Sequence, residues 1–422
     1  MSEPLPPPEE PVPSARALLK ERDYLLFWGT RWTGSFASQI QSVAMGWQMY
    51  ALARLHRSVE ESAFLVGMIG LAAFVPVFLL TLPAGEAADR YDRKKVLLLC
   101  LSGEIVSVLV LAVATVQGYA SPALLLAIAA LFGASRAFFA PANTALGPML
   151  VPRKLLPRAI AWNSLAWQTA SIAGPAAAGL LVAHSAQTAY FTTFTLYLVS
   201  AALVASIRGN AKPEVMPGSR LQLVKEGLAY VWRQKIVFGA ISLDLFAVLL
   251  GGATALLPMF AKDILHVGPW GLGLLRGAPA AGALLMSGVL TRWPLERRVG
   301  PTMLSAVAVY GLCMVVFGLS TSFALSLAVL AISGGADMVS VVVRQTLVQI
   351  ETPNEMRGRV SAVNSVFIGA SNQLGEFESG ATAALLGPVG SVVAGGAGTL
   401  LVAAAWFRMF PSLSRRDRMV GK

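Results

Sequence analysis

Apolar runs long enough to cross a membrane recur along the chain, and short polar joints separate them. A hydrocarbon core about 30 Å thick requires about 20 apolar residues in helical form. On this criterion the sequence predicts twelve spans, at residues 24–50, 62–84, 96–117, 123–150, 159–183, 187–207, 236–260, 269–290, 301–320, 323–350, 358–383 and 387–408. Because helices satisfy their own backbone hydrogen bonds in lipid, the predicted fold class is an all-α membrane protein with twelve transmembrane helices.

Composition agrees with this pattern, since 55% of the 422 residues are hydrophobic and 13% are charged. Such a chain is a membrane protein rather than a soluble domain. Residues 1–15 are rich in Pro and Glu and are predicted to be a disordered cytoplasmic tail. Residues 16–207 then form an N-terminal six-helix half, 208–235 a cytoplasmic linker, 236–410 a C-terminal six-helix half, and 411–422 a basic cytoplasmic tail.

The linker carries its own periodic segment. Leu221, Val224, Leu228 and Val231 recur at helical spacing, which predicts an amphipathic helix on the membrane surface.

The basic residues divide unequally between the two sets of joints. Of the 33 Lys and Arg residues, 26 fall on the side that holds both termini. The positive-inside rule therefore predicts that both termini of this multi-pass protein lie in the cytoplasm. The expected location is the bacterial inner membrane. This distribution accounts for the net charge of +11, so no nucleic-acid partner is expected. The expected partners are the lipid bilayer and a small-molecule substrate, and the chain is expected to be a monomer.

An internal repeat relates the two halves. A shift of 201 residues superimposes Pro152 on Pro353, Arg158 on Arg359 and Asn163 on Asn364. The joint between the fourth and fifth spans thus recurs between the tenth and eleventh. Parallel six-helix repeats of this kind are typical of transporters that bind substrate between the halves. The sequence therefore predicts two pseudo-symmetric halves.

One charged segment between the second and third spans is the most specific motif. It contains Gly85, Asp89, Arg90, Arg93 and Lys94 in the pattern G-x-x-x-D-R-x-x-R-K. On a short loop between two membrane helices this pattern resembles the signature of the major facilitator superfamily. Asp92 replaces the usual glycine, a variant found in the branch that holds the enterobactin exporter and macrolide efflux proteins.

The resemblance implies several expectations. The fold would be the major facilitator fold, and the activity would be proton-coupled export of a siderophore-like molecule or an amphiphilic drug by alternating access. Gly174, Pro175 and Gly179 resemble the shortened antiporter motif, a bend where helices pack closely. In an outward-facing state, Asp89 is expected to contact residues 355–362 and to hold the halves together.

Ionisable residues inside membrane helices are costly and mark transport pathways by default. In facilitator folds the first, fourth, seventh and tenth helices line the central cavity. This places four polar residues as candidate substrate-binding groups, namely Arg31, Arg136, Asn143 and Arg344. Arg136 and Asp337 coincide under the 201-residue shift, and they are expected to lie within reach of each other or of one substrate. A structural ion pair between the halves is the alternative.

Three acids are candidate proton-coupling residues: Asp244, Asp337 and Glu376. A carboxylate in a dehydrated cavity can take up a proton near neutral pH, and that uptake can drive transport. For Asp244, a structural pair with a neighbouring arginine is equally favoured. Glu104, on a peripheral helix, is expected to be structural.

Other chemistry finds little support. The three histidines fall in predicted outer joints, the two cysteines lie inside spans, and the phosphate-loop pattern G-x-x-x-x-G-K-[ST] does not occur. The sequence therefore predicts no metal site, no catalytic residue, no enzyme activity and no cofactor. Transport is expected to be driven by a proton gradient. A facilitator or importer on the same fold is the alternative function, and a transport-inactive membrane receptor is less favoured.

Overall fold

A computed structural model describes residues 15–209 and 220–418. Nearly all of the predicted tail at 1–15, the middle of the linker and the last four residues of the basic tail lie outside the described residues. Within those two ranges the chain is almost entirely helical and contains no β-strand.

Six helices precede the linker, α7 lies within it and the remainder follow it. Their bounds are α1 Arg22–Ala53, α2 Val59–Arg90, α3 Arg93–Val116, α4 Pro122–Leu146, α5 Leu156–His184, α6 Ala186–Ala205, α7 Arg220–Arg233, α8 Lys235–Gly251, α9 Leu257–Met259, α10 Gly268–Arg292, α11 Val299–Leu319, α12 Phe323–Glu351, α13 Asn354–Met409 and α14 Pro411–Ser414. Of these, α1–α6 are called the N-terminal helices below, and α8–α13 the C-terminal helices.

Ten helical segments of the described chain are long and apolar enough to cross a membrane. The helix α1, with 32 residues, is not among them because its sequence is more polar. The helix α13 counts once although it has 56 residues, and its backbone breaks at Gly387, where φ is 72° and ψ is 167°. At 1.5 Å per residue α13 would measure about 84 Å if straight, far more than one bilayer requires.

The joints between helices lie on two faces. We call one the basic face, because it holds the charged ends of α2, α3, α5, α10 and α13, where Arg90, Arg93, Arg158, Arg292 and Arg357 lie. The opposite face holds the joints near residues 54–58, 117–121, 185, 265–267, 320–322 and 387. Successive long helices therefore run antiparallel between the two faces.

Two of the differences between the helix ends and the predicted spans concern functional segments. Residues Gly85 to Arg90 continue α2 as helix, so the charged motif does not lie on a loop, as the sequence had suggested. The seventh span is regular only to Gly251, after which a 3₁₀ turn, α9 and a π-helical turn at Phe260–Ile264 follow. Single π turns in membrane helices are often found at functional positions.

The amphipathic helix expected in the linker is α7. Its Glu226 carboxylate pairs with Arg359 of α13 at 2.6 Å, and the Tyr230 hydroxyl donates to the carbonyl oxygen of Glu351 at 2.7 Å. Trp232, 72% exposed, stacks against Phe238 at the start of α8. The linker helix is thus attached to the basic ends of the C-terminal helices.

Candidate transport pathway

Two helix pairs join the N-terminal to the C-terminal helices, α2 with α13 and α5 with α10. Each pair comes closest at glycines. A Cβ placed on Gly67 would lie 2.8 Å from Cα of Gly380, and one on Gly179 would lie 2.9 Å from Cα of Gly273. Because carbon atoms pack at about 3.5–4.0 Å, only glycine permits these approaches. All four glycines lie in the halves of their helices nearer the opposite face.

Polar contacts reinforce closure on that side. The Tyr50 hydroxyl of α1 donates to a carboxylate oxygen of Asp263 in the π-helical turn, and Arg54 lies 3.8 Å from the same oxygen. Deeper in the protein, the Arg276 guanidinium of α10 donates to the Ser42 hydroxyl of α1 at 2.8 Å. The N-terminal and C-terminal helices are therefore bonded together near the opposite face.

The same helix pairs separate toward the basic face. A Cβ on Gly288 of α10, or on Gly369 of α13, would meet no atom within 4 Å. The space between the two sets of helices is thus open toward the basic face and closed toward the opposite face.

The three residues predicted to form a bend lie at the closed end. Gly174 packs on α1, where a Cβ would lie 2.7 Å from Cβ of Gln39. Pro175 is buried inside α5, and Gly179 forms the contact with α10 described above. The segment therefore brings α1, α5 and α10 together at the closed side.

The basic residues of the charged motif cap helix ends. Arg93 donates to the carbonyl oxygens of Ala88 in α2 and Ala145 in α4, at 3.2 and 3.1 Å. Lys94 donates to those of Ala205 and Ile207 at the end of α6, at 2.7 and 2.6 Å. Cations at helix C-termini satisfy terminal carbonyls and oppose the helix dipole. The motif thus fixes three helix ends on the basic face.

The remaining residues of the charged motif lie in the last turns of α2 and in the short joint before α3. Gly85 is buried and Asp89 partly buried in the last turns of α2, whereas exposed Arg90 pairs with Glu86 at 2.9 Å. Asp92, the position that departs from the family pattern, is the N-cap of α3, and its carboxylate accepts from the backbone N–H of Lys94 at 2.9 Å. The expected contact between Asp89 and residues 355–362 applies to the state that is closed on the basic face. It therefore stays a prediction.

The C-terminal helices enclose a group of acids. Asp244 of α8 and Arg344 of α12 form an ion pair, with side chains 10% and 3% exposed. Asp244 also lines a cavity of about 10 Å³ together with Asp337, Tyr310 and Ser340. Among the residues described here, Asp337 forms no ion pair, so Arg344 is paired with only one of the two carboxylates at this cavity.

A matching polar group lies within the N-terminal helices. Arg136 of α4 donates to the Ser38 hydroxyl of α1 at 2.6 Å, and its charge acts on the buried carboxyl of Glu104 in α3. The Tyr197 hydroxyl donates to the Gln41 side chain at 3.1 Å beside them. Arg136 and Asp337, expected to share a contact or a substrate, form no ion pair with each other among the described residues.

Glu376 occupies a third position, at the closed interface. It lines a cavity of about 30 Å³ with Arg276 and Ser42, where residues of α1, α2, α10 and α13 meet. The charges of Glu376 and Arg276 act on each other although they form no direct salt bridge within the described chain. Arg276 was not among the candidate site residues predicted from the sequence. The spacing of ionisable residues alone could not reveal that it crosses to the N-terminal helices.

The polar residues recur at equal positions in the two sets of helices. Arg31 and Asp244 are the tenth residues of α1 and α8. Arg136 and Asp337 are the fifteenth residues of α4 and α12, and Asn143 and Arg344 are the twenty-second. Equivalent positions therefore carry different charges. At the first two, a base in the N-terminal helices corresponds to an acid in the C-terminal helices, and at the third the neutral Asn143 corresponds to Arg344.

Comparison with known proteins agrees with this architecture. A family model described as transmembrane secretion effector matches residues 13–418. The chain belongs to this family of major facilitator transporters. Its members are transporters rather than enzymes, so the protein is a multi-pass membrane transporter of small molecules.

Two curated relatives of this chain are exporters. The multidrug efflux pump Tap of Mycobacterium tuberculosis is 27% identical over 364 residues, which cover 81% of this chain and 84% of Tap. The enterobactin exporter EntS of Shigella boydii is 28% identical over 374 residues, which cover 86% of this chain and 87% of EntS. A bacterial homologue of the lysosomal transporter Spinster, solved in an inward-facing and occupied conformation, has a TM-score of 0.72 at 14% identity and covers 93% and 97% of the two chains. That likeness shows the shared fold.

Proposed function

We propose that the protein exports a small organic molecule across the bacterial inner membrane by alternating access, in exchange for protons. One observation carries this proposal: the helix pairs between the N-terminal and C-terminal helices are closed at one face and open at the other. A carrier that rocks between two such arrangements exposes one central site to each side in turn.

We further infer twelve spans in two six-helix halves. The helix α1 has 32 residues, enough for a tilted span, and its polar residues face other helices rather than lipid, as the bonds of Ser38 and Ser42 illustrate. Dividing α13 at Gly387 yields two segments, each long enough to cross a bilayer. With the ten segments identified by hydropathy, these additions make six spans on either side of the linker.

The orientation follows from the basic residues. Placing the basic face in the cytoplasm obeys the positive-inside rule and puts both termini there. The conformation described here is then inward-facing, with its closed gate on the external side. An exporter in this state is ready to receive cargo from the cytoplasm.

Among the three candidate acids, Asp337 is the proposed proton site. Asp244 forms an ion pair with Arg344, and Glu376 shares a cavity with Arg276, so each of these acids has a base near it. Asp337 shares a cavity with Asp244 and has no base of its own within the described chain. Two buried carboxylates that line one cavity are stabilised when one of them binds a proton.

The cargo is proposed to be a siderophore-like molecule or an amphiphilic drug. The names of the relatives Tap and EntS support export of organic molecules of these kinds. The energy source is proposed to be the proton gradient, with no bound cofactor, and the functional unit a monomer.

The test uses inside-out vesicles, in which export appears as uptake. Uptake of a labelled catecholate siderophore and of ethidium is measured with and without an imposed proton gradient. The variants are Asp337→Asn and, as a matched control, Glu378→Gln, whose acid bonds only to Thr382 one turn away among the described residues.

Gradient-driven uptake that Asp337→Asn loses and Glu378→Gln retains would support the proposal. Uptake that is equal with and without a gradient would instead favour a facilitator. Movement in the reverse direction would favour an importer, and no movement of either probe a transport-inactive receptor.

A further inference from the structure

Two contacts fix the register of α1 against α4. Arg136 bonds to Ser38, and a Cβ on Gly147, directly after α4, would lie 2.9 Å from the Phe27 ring. The two helices run antiparallel. Arg31 lies four residues after Phe27, and Asn143 lies four residues before Gly147, so the two residues stand at the same level between the two contacts.

The same spacing fixes the faces. At 100° per residue, steps of four and seven residues return to within about 40° and 20° of the starting direction. Arg31 therefore shares a face with Phe27 and Ser38, the α1 residues that contact α4. Asn143 likewise shares a face with Arg136 and Gly147. Arg31 and Asn143 thus stand on the facing sides of their helices.

Both side chains have unused hydrogen-bonding capacity. Arg31 lies with its guanidinium 6.0 Å from the centre of the Phe27 ring and forms no ion pair with any described acid. Asn143 is 9% exposed, and its Oδ1 accepts no hydrogen bond within the described chain. A buried carbonyl without a donor costs about 1–3 kcal/mol, so such groups generally have a partner in the working protein. The guanidinium of Arg31 and Oδ1 of Asn143 therefore lie at the same level of α1 and α4, and both can still bind a ligand.

Aromatic side chains flank this level. Trp28, one turn from Arg31 on α1, stacks edge-on against Trp162 of α5 at 5.7 Å and donates to its backbone carbonyl oxygen at 2.8 Å. On the next turn, Trp32 packs against Phe36 at 5.4 Å. The level lies in the part of α1 nearer the basic face, where the helix pairs are open. A planar molecule entering from that face would meet aromatic rings and Arg31 together.

We propose that Arg31 and Asn143 form a binding site for an aromatic organic anion that carries a hydrogen-bond donor beside its acidic group. Arg31 binds the acidic group, and Oδ1 of Asn143 accepts from the neighbouring hydroxyl or amide. This deepens the proposed function by giving the chemical class of the cargo, and it rests on that function for the role of the bound molecule. Binding itself requires no proton gradient.

The test is equilibrium binding to the purified full-length protein in lipid nanodiscs, measured by calorimetry without any gradient. The probes are 3-hydroxy-2-naphthoate and its neutral amide, which differ in charge but share rings and hydroxyl. The variants are Arg31→Gln, Arg31→Lys and Asn143→Leu. Arg292→Gln, an exposed arginine at the end of α10, is the matched control. Thermal unfolding of each variant establishes that it is folded.

The wild-type protein and Arg292→Gln are expected to bind the acid about tenfold or more tightly than the amide, the range of a charge-assisted hydrogen bond. Arg31→Gln is expected to lose that preference and Arg31→Lys to keep part of it. Asn143→Leu is expected to weaken both probes. Equal affinity for acid and amide in the wild type, no binding of either, or an unchanged preference in Arg31→Gln would overturn the proposal. A protein that binds the acid but transports nothing would contradict only the proposed function.

Discussion

The glycine contact between α2 and α13 offers a direct way to shift the transporter between its two states. An alanine at Gly67 would place its Cβ 2.8 Å from Cα of Gly380 and 3.0 Å from the carbonyl oxygen of Glu376. Since carbon atoms need about 3.5–4.0 Å, the two helices would have to separate by about 1 Å. Both neighbours are backbone atoms, so no side-chain rotation can relieve the contact.

The expected result is loss of closure on the opposite face. Overpacking by one methyl group costs about 1–3 kcal/mol, and this cost applies only while the gate is closed. At about 1.4 kcal/mol per tenfold change, the equilibrium should move about 5- to 150-fold toward the state open on that face. Because Gly→Ala also favours the helix by about 1 kcal/mol in either state, its intrinsic effect cancels.

The assay is distance measurement between spin labels at Tyr119 and Thr321, exposed residues at corresponding joints on the opposite face. The two native cysteines, Cys100 and Cys313, are first replaced by alanine. The control is Gly369→Ala, where a Cβ meets no atom within 4 Å, and it should leave the gate closed. If Gly67→Ala and Gly369→Ala have the same distance distribution as the parent, closure does not depend on this contact and the reasoning is wrong.

Three further predictions concern other contacts. Arg344→Leu should lower stability by about 3–5 kcal/mol by leaving Asp244 buried and unpaired, and adding Asp244→Leu should restore most of it, as thermal unfolding in detergent would reveal. Lys94→Met should cost about 1 kcal/mol through the lost caps on α6, and exposed Arg90→Met less than half of that, in the same measurement. Asp263→Ala removes the acceptor of the polar contact at the closed face, so labels on that face should report a shift in the same direction as Gly67→Ala.

The helices were the most predictable part of the fold, because hydropathy responds directly to the lipid environment. The ends of the helices were less predictable. The charged residues from Glu86 to Arg90 look like a loop in sequence, yet they continue α2, because its last turns project beyond the apolar region and Arg93 caps them. Similarly, α13 begins at Asn354 with Pro353 as N-cap, earlier than the predicted span at 358–383, and Thr352 is the C-cap of α12.

The candidate site was predictable in its residue types and not in its pairings. Ionisable residues are so rare in the spans that each could be found by inspection, and Asp244 was expected to pair with a neighbouring arginine if it was structural. The sequence did not reveal which arginine pairs with Asp244, because the partner, Arg344, lies on another helix whose rotation depends on packing along its whole length. For the same reason the repeat placed Arg136 and Asp337 at equivalent positions correctly but could not reveal that Ser38 and Tyr310 would be their separate neighbours.

Two residues without a counter-charge, one in each set of helices, would allow cargo and protons to be coupled without competing for one group. In the N-terminal helices the base Arg31 has no acid partner in the described chain, and in the C-terminal helices the acid Asp337 has no base. An anionic cargo would then be attracted to one half and a proton to the other. Coupling in such an arrangement depends on each ligand favouring a different conformation rather than on displacement at a shared residue. Exchanging the charge at either position alone should therefore uncouple transport and leave the other ligand's binding intact.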